Sequence, residues 1–160
     1  MRRLATPADL EAVYAIYMHA SVVPFLGFDP MPLKEFRAVY DELLSTRSFY
    51  IFESEGVLAG FYEVSRQPGR AAHVAQLGTV ALAPALAGRG LGRAMLEEAI
   101  ARLRAAGVIR VELLVEADNA RALGFYRKLG FELEGRMRRA YKRAGEAQYV
   151  DELVMTRFLD

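Results

Sequence analysis

The sequence predicts an α/β fold in which a mixed sheet of about seven strands is covered by about four helices. Three observations carry this reading. Short apolar runs bounded by glycine and proline turns are interleaved with stretches of helical period. The 160 residues are 53% apolar, enough for one substantial core, so residues 1–160 are expected to form a single domain. A glycine-rich turn, Gly88-Arg89-Gly90-Leu91-Gly92, joins an apolar strand to a helix.

A short strand over Arg2 to Ala5 precedes a helix opened by Thr6-Pro7-Ala8-Asp9, where Thr6 can cap and Pro7 occupies the first helical position. Leu10, Val13, Tyr14, Ile16 and Tyr17 give that helix its buried face. From Ser21 to Pro32, prolines and Gly27 interrupt Val22, Val23, Phe25, Leu26, Phe28 and Met31. An apolar loop of this kind is either a packed cover or a substrate wall. A second helix is expected over Leu33 to Leu44.

Strands follow over Ser48–Ser54, Leu58–Arg66 and Ala72–Leu82, separated by Glu55-Gly56 and Gln67-Pro68-Gly69 turns. Arg93 to Ala106 reads as a third helix, stopped by Gly107. A strand over Ile109–Glu116, a helix over Asn119–Leu129, and strands over Phe131–Arg143 and Glu146–Phe158 joined through Ala144-Gly145 complete the chain. Repeats, low-complexity tracts and linkers are absent.

Net charge is +1 with acids and bases interspersed, which leaves no electrostatic footprint of a nucleic-acid binder. The one basic cluster, Arg136-Met137-Arg138-Arg139 with Lys142-Arg143, reads as a solvated hairpin or as a contact to a ligand phosphate. The chain has no cysteine, which excludes disulfides, thiolate metal sites and a cysteine nucleophile and suits a reducing cytoplasm. Met1 to Pro7 carry no signal-peptide core, and no apolar run approaches the roughly 20 residues of a membrane span. A cytoplasmic protein without a metal is expected.

Gly88, Gly90 and Gly92 let the backbone turn tightly and bring its amides close to a ligand. They stand at a helix N-terminus, where free N–H groups and the positive dipole end favour phosphate, and Arg89 and Arg93 add charge. No Gly-Lys-Ser/Thr follows, and the alternate spacing does not match the dinucleotide fingerprint Gly-x-Gly-x-x-Gly. Taken alone, the turn is equally a plain strand-to-helix connection.

Downstream stand Asp118-Asn119 and Phe125-Tyr126-Arg127-Lys128-Leu129-Gly130-Phe131. Together with Pro84-x-x-x-Gly88-x-Gly90-x-Gly92 after an apolar strand, these residues resemble the GNAT superfamily of acetyl-CoA-dependent N-acetyltransferases. The motif core covers residues 74 to 133, and the order of elements extends the likeness to almost the whole chain. The resemblance implies a GNAT (acyl-CoA N-acyltransferase) fold. Its two central parallel strands, here those ending at Leu82 and Glu116, splay apart to admit acetyl-CoA.

It also implies roles for residues. In acetyl transfer to an amine, the thioester carbonyl oxygen gains charge and a fixed N–H aimed at it is favourable. By resemblance, the backbone of Val80 serves the thioester and that of Leu82 the pantetheine arm, while their side chains read as core. Ala87, Gly88, Arg89, Gly90, Leu91, Gly92 and Arg93 form the diphosphate cradle, although the family usually has Gln or Arg at Ala87. Asn119 either caps its helix or also contacts the pantetheine, and Phe125 and Tyr126 complete the cofactor contacts. Tyr126 occupies the position of the general acid for the leaving thiolate, a role that suits a phenol of pKa about 10. Otherwise it is a core aromatic of its helix.

The acceptor must lose a proton before it can attack. Where some relatives carry a carboxylate on the strand before the cradle, this chain has Gln76, so a water relay is open, and His73, Glu63, Glu112 and Asp151 are further candidates, His73 first. Ser21 to Met31, the second helix and the final hairpin would form the acceptor wall. Phe25, Phe28, Met31 and Tyr141 make it apolar, which suggests a small amine. A free amino acid or amino-acid-like acceptor is the first expectation. Protein N-termini, polyamines, or a non-catalytic acetyl-CoA-binding module are the alternatives. Homodimers are common among proteins of this kind.

Overall fold

The computed structural model describes all residues, 1–160. Seven strands and four α-helices follow one another as β1 (Arg2–Leu4), α1 (Leu10–Tyr17), α2 (Leu33–Ser45), β2 (Phe49–Ser54), β3 (Val57–Arg66), β4 (Val74–Leu82), α3 (Leu91–Ala105), β5 (Arg110–Glu116), α4 (Ala120–Lys128), β6 (Glu132–Tyr141) and β7 (Val150–Phe158). The strands form a mixed sheet in the order β1-β2-β3-β4-β5-β7-β6. The chain packs as two units, Met1–Ser65 with Gly78–Ala99, and Arg66–Leu77 with Ile100–Asp160.

In the first unit, β1 pairs antiparallel with β2 and β2 with β3. Glu55 and Gly56 both have positive φ, as a two-residue hairpin turn of matching twist requires. Leu10, Val13, Ile16 and Tyr17 of α1 and Phe36 and Tyr40 of α2 pack with Phe49, Ile51 and Phe61 of the strands. Ring contacts run through this core, with Tyr17 and Phe36 at 5.0 Å and Phe49 and Phe61 at 5.3 Å between centroids. The expected α1 starts later than Pro7, because Pro7–Asp9 is a 3-10 turn. The Asp9 carboxylate holds that turn by accepting from the Thr6 amide at 2.8 Å, the Thr6 hydroxyl at 2.9 Å and the Arg3 guanidinium at 2.7 Å.

In the second unit, β4 and β5 are the parallel pair, in register from Val74 opposite Arg110 to Leu77 opposite Leu113. β7 pairs antiparallel with both β5 and β6. β6 is exposed over most of its length, and its pairing shifts between Leu133 and Gly135 and again between Met137 and Tyr141. Strand β7 begins at Val150 rather than Glu146: Arg143 pairs with Glu146 at 3.6 Å, and the Glu146 amide donates to the Arg143 carbonyl, tying that stretch into a turn.

Candidate active site

The residues singled out by their sequence fall into both units. In the first, β4 reaches its C-terminal end through Gly78-Thr79-Val80-Ala81-Leu82. Thr79 has φ +48°, a conformation that a β-branched residue adopts only under constraint. A left-handed residue inside a strand turns the next peptide out of the ladder direction, and here that peptide carries the Val80 N–H. The Thr79 hydroxyl lies 3.4 Å from the Glu63 carboxylate of β3. Val80 and Leu82 are half-buried rather than core, while Ala81 between them is buried.

After Leu82 the chain makes a 3-10 turn at Pro84–Leu86 and enters the glycine-rich segment. Gly88 and Gly90 have φ +80° and +76°, so both use the left-handed region, and a Cβ at either would meet nothing within 4 Å. Gly92 differs from the expectation, since α3 starts at Leu91 and Gly92 lies inside its first turn. The Ala94 amide donates to the Gly90 carbonyl at 3.0 Å, so the amides of Leu91, Gly92 and Arg93 precede the helical ladder. Ala87, Gly88, Arg89 and Gly90 are exposed, and Arg93 is exposed and ion-paired with Glu97 at 2.8 Å. Positive-φ glycines with open space and helix-start amides fit a diphosphate.

In the second unit, Asn119 caps α4, its side-chain oxygen accepting from the Ala122 amide at 3.1 Å. Its amide group faces Glu116 Oε2 at 3.5 Å. Tyr126 is buried, with ring centroids 5.4 Å from Phe125 and 5.9 Å from Phe131. Burial first and the charge of Glu116 second push its phenol above the ordinary range, so it keeps its proton at neutral pH.

Sequence reasoning missed Glu116. It is 8% exposed, ends β5 and lies directly across from Glu152 of β7. Burial raises both carboxyls, and for Glu116 the charge of Glu152 adds to it. A charged residue closing an apolar strand was the available signal. Arg143 pairs with Asp118 at 2.7 Å and is thereby held at the start of α4.

The proposed bases separate. His73, the first choice, is exposed and precedes β4, seven positions before Val80, or roughly 20 Å of extended chain. It lies at the wrong end of the strand to serve the Val80 amide. Glu112 is paired with Arg110 at 3.0 Å, in a network completed by Glu134 and Thr156. Asp151 accepts from Arg136 at 2.8 Å and from the Arg139 amide at 2.7 Å, which lower its pKa and weaken it as a base. Of the basic cluster, Arg136 and Arg143 are thus paired with carboxylates. Of the expected acceptor wall, Met31 packs on the first unit's core, Phe28 is exposed, and Tyr141 belongs to the second unit.

The chain resembles known proteins over most of its length. The model of the acetyltransferase (GNAT) family matches residues 10–131. N-alpha-acetyltransferase RimI of Mycobacterium tuberculosis is 36% identical over 126 residues, 78% of this chain and 76% of that protein. Mycothiol acetyltransferase of Frankia casuarinae is 37% identical over 93 residues, but the match spans only 27% of that longer protein. Among solved structures, a ribosomal-protein-alanine N-acetyltransferase from Brucella melitensis superposes with a TM-score of 0.78 at 27% identity, covering 99% of each chain. The chain belongs to the acetyltransferase (GNAT) family and is an acetyl-CoA-dependent N-acetyltransferase.

Proposed function

We propose that the acceptor is the α-amine of a free amino acid or amino-acid-like compound, acetylated directly from acetyl-CoA. The observation that carries this is the character of the Ser21–Pro32 segment. It is apolar, partly packed on the core through Val22, Leu26 and Met31, and has Asp29 as its only carboxylate, with Glu35 beyond it. A polycationic acceptor would favour an acidic surface there. A second reading, the N-terminal α-amine of a protein, is favoured by the similarity to RimI and to the Brucella enzyme.

In this proposal the amides from Gly88 to Arg93 hold the diphosphate, with Gly88 and Gly90 shaping the turn and Arg89 adding charge, while the Ala87 amide is already donated to the Pro84 carbonyl at 3.1 Å. The Val80 amide, reoriented by Thr79, donates to the thioester oxygen as it gains charge. Leu82, Asn119 and Phe125 contact the pantetheine arm. Tyr126 donates its proton to the departing thiolate. Thiol release from acetyl-CoA in the presence of single L-amino acids, an alanine-starting peptide and spermidine tests the acceptor. Turnover of amino acids supports the first reading; turnover of the peptide alone supports the second, and of spermidine alone refutes both.

A further inference from the structure

Glu63 stands apart from the other carboxylates considered as bases. Glu112 and Asp151 are each paired with an arginine, whereas the hydrogen-bond partner of Glu63 is the Thr79 hydroxyl. It is half-buried in β3, flanked along the strand by buried Tyr62 and Val64. Thr79 is the strained residue whose following peptide carries the Val80 N–H. A carboxylate in this position is hydrogen-bonded to the residue directly preceding the amide proposed to donate to the thioester oxygen, and the attacking amine must approach that carbonyl carbon.

The elements packed around Glu63 leave its charge uncompensated. From β2 the facing residue is Phe49, and from β4 it is Thr79. From α1 comes Tyr17, whose phenol is pushed up to about 12, mainly by burial and further by the Glu63 charge, against a hydrogen bond from the Gly27 backbone. Tyr17 therefore remains a neutral hydroxyl through the working range. Gly27 belongs to the same apolar segment that the acceptor reading uses, so β3, β4 and α1 meet at one carboxylate and that segment is joined to them through Tyr17.

We infer that Glu63 is the group that binds the acceptor's ammonium and takes its proton, beside Thr79 and under the Ser21–Pro32 segment. The α-amine reading supplies only the acceptor for this inference. The ammonium gives one N–H proton to the Glu63 carboxylate. The neutral nitrogen then forms the C–N bond as the C–S bond breaks. The departing thiolate takes the Tyr126 proton, and the remaining excess N–H proton restores the phenol. Glu63 returns its own proton to water, so that an ammonium and acetyl-CoA give an amide, free thiol and one proton.

Glu63→Gln, with Glu63→Asp as the second variant, is assayed by thiol release with L-alanine, the alanine-starting peptide and hydroxylamine, whose nitrogen is already neutral near pH 7. Against an α-amine, E63Q is expected to lose about 10²-fold in kcat/KM at neutral pH. The deficit should shrink as pH rises and the amine deprotonates in solution. Against hydroxylamine the deficit should be at least about tenfold smaller, growing only as hydroxylamine protonates at acid pH. E63D should recover part of the loss, and calorimetry should give unchanged acetyl-CoA affinity for both variants. The same loss at every pH and on every acceptor, or no loss at all, overturns the assignment. Wild-type turnover of hydroxylamine without either α-amine would instead reject the acceptor reading, and the acid limb with hydroxylamine would still decide on Glu63.

Discussion

Gly60→Ala is the perturbation whose magnitude the structure defines most closely. Gly60 lies on β3, and a Cβ built there would stand 2.6 Å from the Ala81 carbonyl oxygen, 3.1 Å from Met95 Sδ and 3.3 Å from Leu82 Cα. The methionine sulfur can swing aside, but the other two atoms are backbone of β4. To restore ordinary contact at 3.4 Å, the Ala81 oxygen must retreat by 3.4 − 2.6 = 0.8 Å. Overpacking of this kind costs about 1–3 kcal/mol, and the reduced freedom of the unfolded chain returns roughly 0.4–1 kcal/mol. The net expectation is a loss of about 1–2 kcal/mol, read as a fall of roughly 0.5–1 M in the urea midpoint. Gly78→Ala is the matched control on β4, since a Cβ there meets nothing within 4 Å and the residue is not left-handed. Because the retreating backbone flanks Val80, turnover should fall with stability in Gly60→Ala and hold in the control. A Gly60→Ala midpoint at or above wild type would refute the close approach of β3 and β4.

Tyr126→Phe keeps the ring packing against Phe125 and Phe131, so turnover is expected to drop about 10²-fold while acetyl-CoA affinity by calorimetry stays near normal; equal loss of both would count against the acid role. Gly90→Asp should weaken acetyl-CoA binding about tenfold or more by placing a like charge where phosphate approaches, with Gly90→Ala, which adds only the left-handed strain, weakening it less. Asp9 has its pKa lowered first by the Arg3 hydrogen bond and then by Thr6, against desolvation. Its stabilisation is therefore present above the unfolded carboxylate pKa of about 4 and is lost as pH falls through the lower folded value. Thermal melts of Asp9→Asn should lie below wild type at neutral pH and converge with it in acid, and parallel curves would contradict the assignment.

The elements were legible because their signals are local. Apolar runs bounded by Glu55-Gly56, Gln67-Pro68-Gly69 and Gly107 placed β2 to β5, the Val13, Ile16 and Tyr17 spacing placed α1, and Gly107 marked the stop after α3. Gly88 and Gly90 were legible because a left-handed backbone leaves few residue choices. Thr79 was not, since a β-branched side chain argues against the conformation it adopts and only the surrounding fold imposes it. The environments of ionisable groups were the other blind spot. No spacing fixed a base among His73, Glu63, Glu112 and Asp151, and what separates them is which arginine, hydroxyl or strand end each meets in three dimensions. Tyr126 was named from its motif, whereas the neighbouring Glu116 carries no motif, only its place at the end of an apolar strand, and its character comes from burial and its register with Glu152.

The left-handed Thr79 has a bearing on any attempt to harden this enzyme against heat. A library screened for folding alone will find that glycine at this position relieves the tension, and will reward it. The relaxed strand then straightens, and its amide swings back toward a neighbouring strand's carbonyl and away from the thioester that we propose it meets. If the Val80 amide acts as proposed, residue 79 marks a place where durability and turnover pull a single peptide plane in opposite directions.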